Sequence, residues 1–222
     1  MKPEIITFSG QAQHGKDTAL EMMRQKLESS GKNVLAIGYA DHLKTILKRD
    51  YGWNGEKDEA GRYLLQQVGE SKRQVEPNYW VDHVVHKVDE IINPVQITEV
   101  PSNIDIFLPI ESMLDYVLIR DARYPNEITR WQDKGYQVHS IHVERLGFEN
   151  DLTNEQRNHP SETALDGFLF AHCIKASQLE DVERGVHKIL GNIQTLSYNN
   201  VSAKLKPQQK VTKNPAPHWR DM

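Results

Sequence analysis

The sequence is poor in cysteine, carries no excess of positive charge and contains no long apolar run. Its 222 residues include one cysteine, which excludes an internal disulfide and a cysteine-rich zinc site. The apolar neighbours of Cys173 predict a thiol buried within a strand. With 27 basic against 31 acidic residues and a net charge of −4, the chain lacks the charge of a protein that coats nucleic acid nonspecifically. No apolar segment approaches membrane-spanning length, so we expect a cytoplasmic protein that does not bind a membrane.

A glycine-bounded motif near the N-terminus carries the clearest chemical signal. The apolar run 5–9 has the length of a strand, residues 10–16 read G-Q-A-Q-H-G-K, and apolar residues recur at helical spacing from Ala19. Strand, loop and helix in this order form the context in which G-x-x-x-x-G-K is a phosphate-binding P-loop. The backbone N–H groups of the loop and the N-terminus of the helix would point at the anion. We predict that phosphates bind to Gly10, Gln13, His14, Gly15 and Lys16, with Lys16 serving the β and γ phosphates.

The residue after the P-loop lysine is an acid. A serine or threonine usually stands there and binds Mg²⁺ through its hydroxyl, whereas this chain has Asp17 followed by Thr18. A carboxylate is a good hard-oxygen ligand for Mg²⁺, and its negative charge beside phosphates would make the metal necessary. The alternative is a plain glycine-rich turn followed by an acid that the helix dipole favours.

Apolar runs alternate with helical patterns along the rest of the chain, which indicates an α/β fold with a parallel sheet. After the first strand we predict strands at 33–39, 115–121, 137–143 and 170–175, and a closing helix at 177–190. Ligands in such sheets bind beyond the carboxyl ends of the strands, where Asp41 and Asp121 lie. Asp41 caps a helix that starts at residue 42, holds a second substrate, or does both. Asp121 is a candidate for the Mg²⁺ shell or for a substrate contact.

Helical patterns between the second and third strands predict an insertion at 40–93. Arg62 and Gln66 are four residues apart and therefore share a helix face. An arginine and an amide on one face suit a phosphate and a base edge, although a solvated face has the same pattern. Residues 93–113 have three prolines and little periodicity, and we predict a loop there.

Charged residues gather after the third strand, where two arginines alternate with two acids: Arg120, Asp121, Arg123 and Glu127. This arrangement is costly unless a ligand binds there or the charges pair and cap the next helix. The polar stretch 144–162 carries Arg145 and Arg157 and has the composition of a closing lid or of an ordinary surface loop. The last segment, 196–222, is polar and rich in lysine and proline, which predicts a strap or a disordered tail.

Several of these segments, taken in chain order, resemble the bacteriophage-type deoxynucleoside monophosphate kinases, a branch of the P-loop nucleoside monophosphate kinases. The matching pieces are F-S-G to G-K-D-T at 8–18, Y-A-D-H-L-K at 39–44, R-Y-L-L-Q-Q-V-G at 62–69 with Arg73 and Trp80, R-D-A-R-Y-P-N-E at 120–127, and H-P-S-E-T-A-L at 159–165. G-K-D-T is similar in animal-type phosphomevalonate kinases, whereas D-x-R-x-P-N-E is more specific. Asp17 thus agrees with the pattern of the family.

The resemblance implies a three-layer P-loop NTPase fold with a five-stranded parallel sheet. It implies a kinase domain at 1–195, with a helical monophosphate-binding insertion at 40–93 and a lid at 144–162, followed by a polar tail at 196–222. It also implies transfer of the γ-phosphoryl group of ATP, with Mg²⁺, to a nucleoside monophosphate. The expected partners are small nucleotides and not nucleic acid, the expected oligomer is a homodimer if there is one, and a phage-encoded chain would act in the host cytoplasm.

The resemblance also implies roles for individual residues. Lys16 and Thr18 would contact ATP, and Asp17 and Asp121 would bind the metal. Arginines would clamp the acceptor phosphate and close over the transferring group. The implied catalytic residues are Lys16, Asp17, Asp121, Arg123, Arg145 and Arg157, and the implied acceptor-binding residues are Asp41, Arg62, Gln66, Arg73, Trp80, Arg120, Arg123 and Glu127.

Three other functions are compatible with the sequence. A P-loop kinase could act on a hydroxymethylated base in DNA, which a basic face would favour and the acidic net charge disfavours. A phosphomevalonate kinase would need an apolar acceptor pocket in place of base stacking around Trp80 and Tyr39. A module that binds a nucleotide without catalysis would show no transfer, and the charged cluster around Asp121 argues against it.

Overall fold

The computed structural model describes residues 2–93 and 114–204, with side chains described as far as residue 196. The strands of this part of the chain are β1 (Glu4–Ser9), β2 (Val34–Ile37), β3 (Tyr116–Ala122), β4 (Val138–Arg145) and β5 (His172–Ala176). The helices are α1 (Lys16–Ser29), α2 (Tyr39–Asp50), α3 (Glu59–Val75), α4 (Tyr79–Ile92), α5 (Asn126–Asp133), α6 (Asn154–Arg157), α7 (Pro160–Thr163) and α8 (Leu179–Lys204). None of the described helices is long and apolar enough to cross a membrane.

The five strands form one parallel sheet in the order β2-β3-β1-β4-β5. β1 lies at the centre because its residues are apolar on both faces: Ile5, Ile6 and Phe8 are fully buried. Strands buried on both sides are typical of parallel sheets that helices cover. The predicted α/β class with a five-stranded parallel sheet is therefore confirmed.

Helices cover both faces of the sheet and make two separate cores. On one face, α1 and α8 pack against Ile6, Phe8 and Leu118. On the other face, α2, α4 and α5 pack around Ile5 and Val117. This three-layer arrangement leaves the carboxyl ends of the strands open for a site, as parallel sheets do.

Two helices differ from the sequence prediction in their bounds. α2 begins at Tyr39 and not at residue 42, so Asp41 lies in its first turn and does not cap it from outside; instead its carboxylate accepts a hydrogen bond from the N–H of Gly38 at 2.9 Å. α8 runs on to Lys204, well beyond the predicted end at residue 190. The loop predicted at 93–113 lies outside the described residues except for its first residue.

The prediction of a buried thiol is wrong, because Cys173 is exposed. β5 is an edge strand, and alternate side chains point to opposite faces of a strand. Ile174 and Ala176 face the core beside α8. Cys173 points to the opposite face, which no described helix covers at this edge.

A buried carboxylate joins the insertion to the sheet. Glu127, in the first turn of α5, is only 1% exposed. It accepts hydrogen bonds from the N–H groups of Arg123 at 2.7 Å and Tyr124 at 3.2 Å, and it pairs with the guanidinium of Arg73 at 3.0 Å. Its main-chain carbonyl accepts a hydrogen bond from the hydroxyl of Tyr39. One residue therefore ties α2, α3, α5 and the end of β3 together.

We expect Glu127→Gln to lower the free energy of unfolding by about 3 kcal/mol or more, since removing one charge of a buried pair leaves the other without compensation. Urea denaturation of the unmodified and substituted proteins measures the difference. The matched control is Glu90→Gln on the exposed face of α4, where a change within about 0.5 kcal/mol is expected. Equal denaturation midpoints for Glu127→Gln and Glu90→Gln would contradict the structural role of Glu127.

Candidate functional site

The P-loop links β1 to α1 through a backbone that favours glycine at two points. Gly10 has a φ of 148°, and a Cβ atom there would lie 2.4 Å from the carbonyl oxygen of Val143 in β4. Gly15, directly before α1, has a φ of 89° in the left-handed region. Gln13 shares this region with a φ of 64°. The loop thus folds tightly over the end of the central strand, with the N-terminus of α1 beside it.

Lys16 is the first residue of α1 and is only 8% exposed. Burial is the main cause that lowers the pKa of its ammonium to about 8, and the charge of Arg123 lowers it further. Asp17, Glu162 and Asp121 act in the opposite direction. A buried cation with a lowered pKa is a site that a phosphate would stabilise in its charged form.

Lys16 lines a cavity of about 760 Å³ that lies between α1, α2, α3 and the end of β3. A volume of this size is in the range of small-molecule sites. The cavity brings together ten of the residues that the sequence analysis selected: Lys16, Asp17, Arg62, Gln66, Arg73, Trp80, Arg120, Asp121, Arg123 and Glu127. Residues of the insertion and of the β3 end, which are far apart in the sequence, therefore meet in this cavity.

Other predicted residues do not line this cavity. Asp41 lies in the first turn of α2 and contacts Lys44 at 3.4 Å. Thr18 is exposed on α1. Gly10 and His14 line a second cavity of about 340 Å³ on the other side of the P-loop. Arg145 and Arg157 line neither cavity.

The cavity arginines differ in how strongly the protein holds them. Arg73 pairs with the buried Glu127, and its guanidinium lies 4.0 Å from the ring centroid of Tyr124. Arg62 has a longer contact, 3.7 Å, with the exposed Asp151. Arg120 has a buried Nε atom with no hydrogen-bond partner among the described residues. Nη2 of Arg120 donates to the carbonyl of Ala36 at 3.4 Å. Among the described residues, Arg62 and Arg120 thus have weaker partners than Arg73 and keep donors for an anion.

Asp121 owes its position to an irregularity in the sheet. The pairing of β1 with β3 shifts between Phe8–Arg120 and Ser9–Ala122, so Asp121 is an extra residue, with a φ of 83°. Bulges of this kind redirect a side chain. Here the carboxylate accepts hydrogen bonds from the N–H groups of Tyr39 at 3.0 Å and Ala40 at 3.3 Å. Burial raises the pKa of Asp121 to about 6, with a further contribution from Glu127.

The two aromatic residues named for base stacking are packed into the protein. Trp80 is 2% exposed, and its indole N–H donates to the carbonyl of Gly69 at 3.0 Å. Tyr39 is 3% exposed, and its hydroxyl accepts a hydrogen bond from Trp131 at 2.7 Å. Their edges contribute to the cavity wall, but neither ring offers a free face to a base.

The stretch predicted as a lid contacts the P-loop at its beginning, through Arg145, and at its end, where Glu162 accepts a hydrogen bond from the N–H of Ala12 at 3.3 Å. At the beginning, the N–H of Arg145 donates to Nδ1 of His14 at 3.1 Å, and the guanidinium of Arg145 lies 4.3 Å from the ring centroid of Phe148. Burial lowers the pKa of His14. Arg157 instead donates to the carbonyls of Asn150 and Leu152 at 3.3 and 3.4 Å. Arg157 thus holds the stretch in shape and does not point into a cavity.

Sequence reasoning assigned no role to several charged residues that line the larger cavity, among them Arg24, Lys57 and Glu162. Glu162 of α7 lines both cavities and pairs with Arg123 at 2.8 Å. The only signal was its position in the H-P-S-E segment at 159–162, to which no role was assigned. Glu162 and the P-loop residue that it contacts, Ala12, are 150 positions apart in the sequence, so no local pattern reveals this contact.

Chemically, the arrangement can hold two anions next to each other. The P-loop amides and Lys16 have the chemistry to bind one anion. The arginines that line the same cavity have the chemistry to bind another. Arginine suits phosphate because its planar donors form paired hydrogen bonds.

Comparisons with known proteins do not identify the chain. Neither models of protein families nor curated proteins match it. Among solved structures, a mutant of the APS kinase CysC from Mycobacterium tuberculosis is similar over 87% of this chain and 98% of its own, with 7% identity and a TM-score of 0.44. A gluconokinase from Sinorhizobium meliloti 1021 is similar over 88% and 98%, with 12% identity and a TM-score of 0.43. TT1252 from Thermus thermophilus is similar over 86% and 98%, with 16% identity and a TM-score of 0.42. These similarities are too low to place the chain in a family or to suggest its substrate.

Proposed function

We propose that the protein is a kinase that transfers the γ-phosphoryl group of ATP to a nucleoside or deoxynucleoside monophosphate. One observation carries the proposal. The buried P-loop lysine and the arginines of the insertion and of the β3 end line the same cavity. A donor polyphosphate and an acceptor phosphate bound at these two anion sites would lie side by side, as phosphoryl transfer requires.

The donor side of the proposed site is the P-loop with Lys16, which would bind the β and γ phosphates. Mg²⁺ fits beside it, since Asp17 is an exposed carboxylate that lines the cavity, and Mg²⁺ usually uses one or two carboxylates together with substrate phosphates. Both oxygens of Asp121 already accept backbone hydrogen bonds, so we assign the metal contact to Asp17. The chemistry that Mg²⁺ supplies in such a site is neutralisation of phosphate charge.

The acceptor side of the proposed site is the wall formed by α3 and the β3 end. Arg62, Arg120 and Arg123 would bind the acceptor phosphate. Gln66 lies one turn after Arg62 on α3 and lines the same cavity, so its amide can contact a base edge. Because the acceptor phosphate is already ionised at neutral pH, positioning and charge stabilisation suffice and no general base is needed.

A second acceptor class has one specific observation in its favour. The ring faces of Trp80 and Tyr39 are buried, and apolar side chains, among them Leu43 and Leu65, line the cavity. A phosphorylated apolar acceptor such as phosphomevalonate would fit this wall without base stacking. The same assay distinguishes the two acceptor classes.

The test is a panel of ribonucleoside and deoxynucleoside monophosphates, together with phosphomevalonate, each incubated with ATP and Mg²⁺. We expect a diphosphate product from one or more of the nucleotides. If product forms from phosphomevalonate alone, the acceptor of the kinase is an apolar phosphate and not a nucleotide. ATP binding without any transfer across the whole panel would contradict the kinase proposal.

The lowered pKa of Lys16 predicts that donor binding takes up a proton. Phosphate stabilises the charged ammonium, so binding would raise the pKa of Lys16 from about 8. Uptake should be near zero at a pH of about 7, where Lys16 is already charged, and should approach one proton per ADP at a pH of about 9. ADP affinity should fall correspondingly as the pH rises through 8 and above.

Calorimetric titration of the protein with ADP and Mg²⁺, in two buffers of different ionisation enthalpy, counts these protons. Lys16→Arg is the matched control, because an arginine stays charged throughout this pH range. If its proton uptake equals that of the unmodified protein at both pH values, the protons come from another group and the prediction for Lys16 is wrong.

Arg62→Lys should raise the KM for the monophosphate about ten- to a hundredfold, since a charge-assisted hydrogen bond to the acceptor is lost. The KM for ATP should change little. Within the described part of the chain, the guanidinium of Arg62 has a single long contact, with an exposed acid, so the fold should tolerate the change. Steady-state kinetics with each substrate varied in turn separates the two effects.

Arg49→Lys provides the control for Arg62→Lys, because Arg49 lies on the same insertion, is exposed and does not line the cavity. Its kinetics should match those of the unmodified protein. A rise of both KM values by the same factor in Arg62→Lys would show that Arg62 supports the insertion in general and does not bind the acceptor.

A further inference from the structure

A carboxylate from outside the P-loop contacts one of its amides. Oε2 of Glu162, in α7, accepts a hydrogen bond from the N–H of Ala12 at 3.3 Å. Its other oxygen, Oε1, pairs with Nη1 of Arg123 at 2.8 Å. The side chain of Glu162 is only 10% exposed. Ala12 lies in the middle of the P-loop, where backbone N–H groups bind phosphate oxygens.

The same ion pair stands between the two cavities. The larger cavity contains Lys16 and the acceptor arginines, and the smaller one contains the first half of the P-loop. Three residues line both of them: Arg123, Ser161 and Glu162. Arg123 also donates to the carbonyl of Ser161 at 3.4 Å. The pair of Arg123 with Glu162 thus lies where the cavity that contains Lys16 meets the cavity beside the first half of the P-loop.

α7 presents Glu162 on a short and well-defined turn. Nδ1 of His159 accepts a hydrogen bond from the N–H of Ser161 at 3.1 Å, and the N–H of Glu162 donates to the carbonyl of His159 at 2.8 Å. Pro160 occupies the first helical position, where its fixed φ favours the turn. The turn therefore fixes the backbone position from which the Glu162 side chain reaches the P-loop.

Building on the function proposed above, we propose that Glu162 is a positioning residue that couples donor binding to acceptor binding. A donor phosphate and the carboxylate compete for the Ala12 N–H, and their like charges repel. When the phosphate displaces the carboxylate, Arg123 loses its partner and turns its guanidinium to the acceptor phosphate. Donor binding would in this way increase the affinity for the acceptor.

The first test uses inorganic tripolyphosphate as the probe, because it occupies the P-loop independently of base recognition. We expect Glu162→Gln to bind it about tenfold more tightly than the unmodified protein, since the competing charge is gone. Glu155→Gln is the matched control: Glu155 belongs to α6 of the same stretch and is exposed. Its tripolyphosphate affinity should equal that of the unmodified protein.

The second test measures the coupling itself, which a merely structural role of Glu162 would not change. The Kd for the accepted monophosphate is determined with and without a non-hydrolysable ATP analogue. In the unmodified protein the analogue should tighten acceptor binding by about fivefold or more. In Glu162→Gln this factor should fall to about one, because Arg123 no longer depends on donor binding.

Glu162→Asp keeps the inference testable if Glu162→Gln does not fold. It retains the charge but is shorter by one methylene group, so it cannot bridge Ala12 and Arg123 as well, and we expect an intermediate tripolyphosphate affinity. Unchanged affinity and unchanged coupling in each of these variants that folds, with binding abolished in Lys16→Ala, would overturn the inference and leave the P-loop assignment intact. An unmodified protein that binds neither tripolyphosphate nor ADP would overturn the proposed function as well.

Discussion

A carboxylate that is almost completely buried needs hydrogen-bond donors around it, and Glu127 imposes this constraint on the helical insertion and on the chain that follows β3. Two backbone N–H groups at the start of α5 and the guanidinium of Arg73 supply the donors. Arg73 comes from α3 and the N–H groups come from the chain that follows β3. The orientation of the insertion relative to the sheet therefore depends on satisfying one charge, and the other arginines of α3 and β3 are placed with it.

The end of β3 shows how an irregularity builds a site. The extra residue Asp121 redirects a carboxylate from the sheet to the first N–H groups of α2. Gly38 permits this approach, since a Cβ atom there would lie 2.8 Å from Cγ of Arg120 and 3.0 Å from Oδ2 of Asp121. Regular pairing would have continued the alternation of side chains and sent Asp121 elsewhere. The departure from regular pairing thus brings the Asp121 carboxylate to the N-terminus of α2.

The parts of the structure that the sequence predicts are those that depend on near neighbours. The P-loop, the strands and most helices follow from apolar spacing and from glycines whose function is local. The predicted start of α2 was wrong because Asp121, which is distant from Asp41 in the sequence, accepts from the N–H groups of Tyr39 and Ala40, and the helix therefore begins at Tyr39. The exposure of Cys173 depends on β5 being an edge strand, which follows from strand order and not from the composition of the strand. Glu162 was missed for the same reason, because its partners come from β3 and from the P-loop.

Three arginines of the candidate site lie beside acids of the same chain, which bears on how an acidic protein would bind the anions proposed above. Arg73 has Glu127, Arg123 has Glu162, and Arg62 has Asp151 as its partner. A phosphate that binds to one of these arginines replaces the carboxylate as its partner. The affinity for the phosphate is therefore the difference between the arginine–phosphate and the arginine–carboxylate interactions. The strength of each internal pair then decides what its arginine can do. Arg73 is held in place by its buried partner Glu127. Arg62 has a more distant and exposed partner, so it can leave that partner and bind a ligand at little cost in free energy. Arg123 lies between these extremes, because its partner Glu162 also contacts the P-loop and a donor phosphate bound there, as proposed, would change the pairing of this arginine.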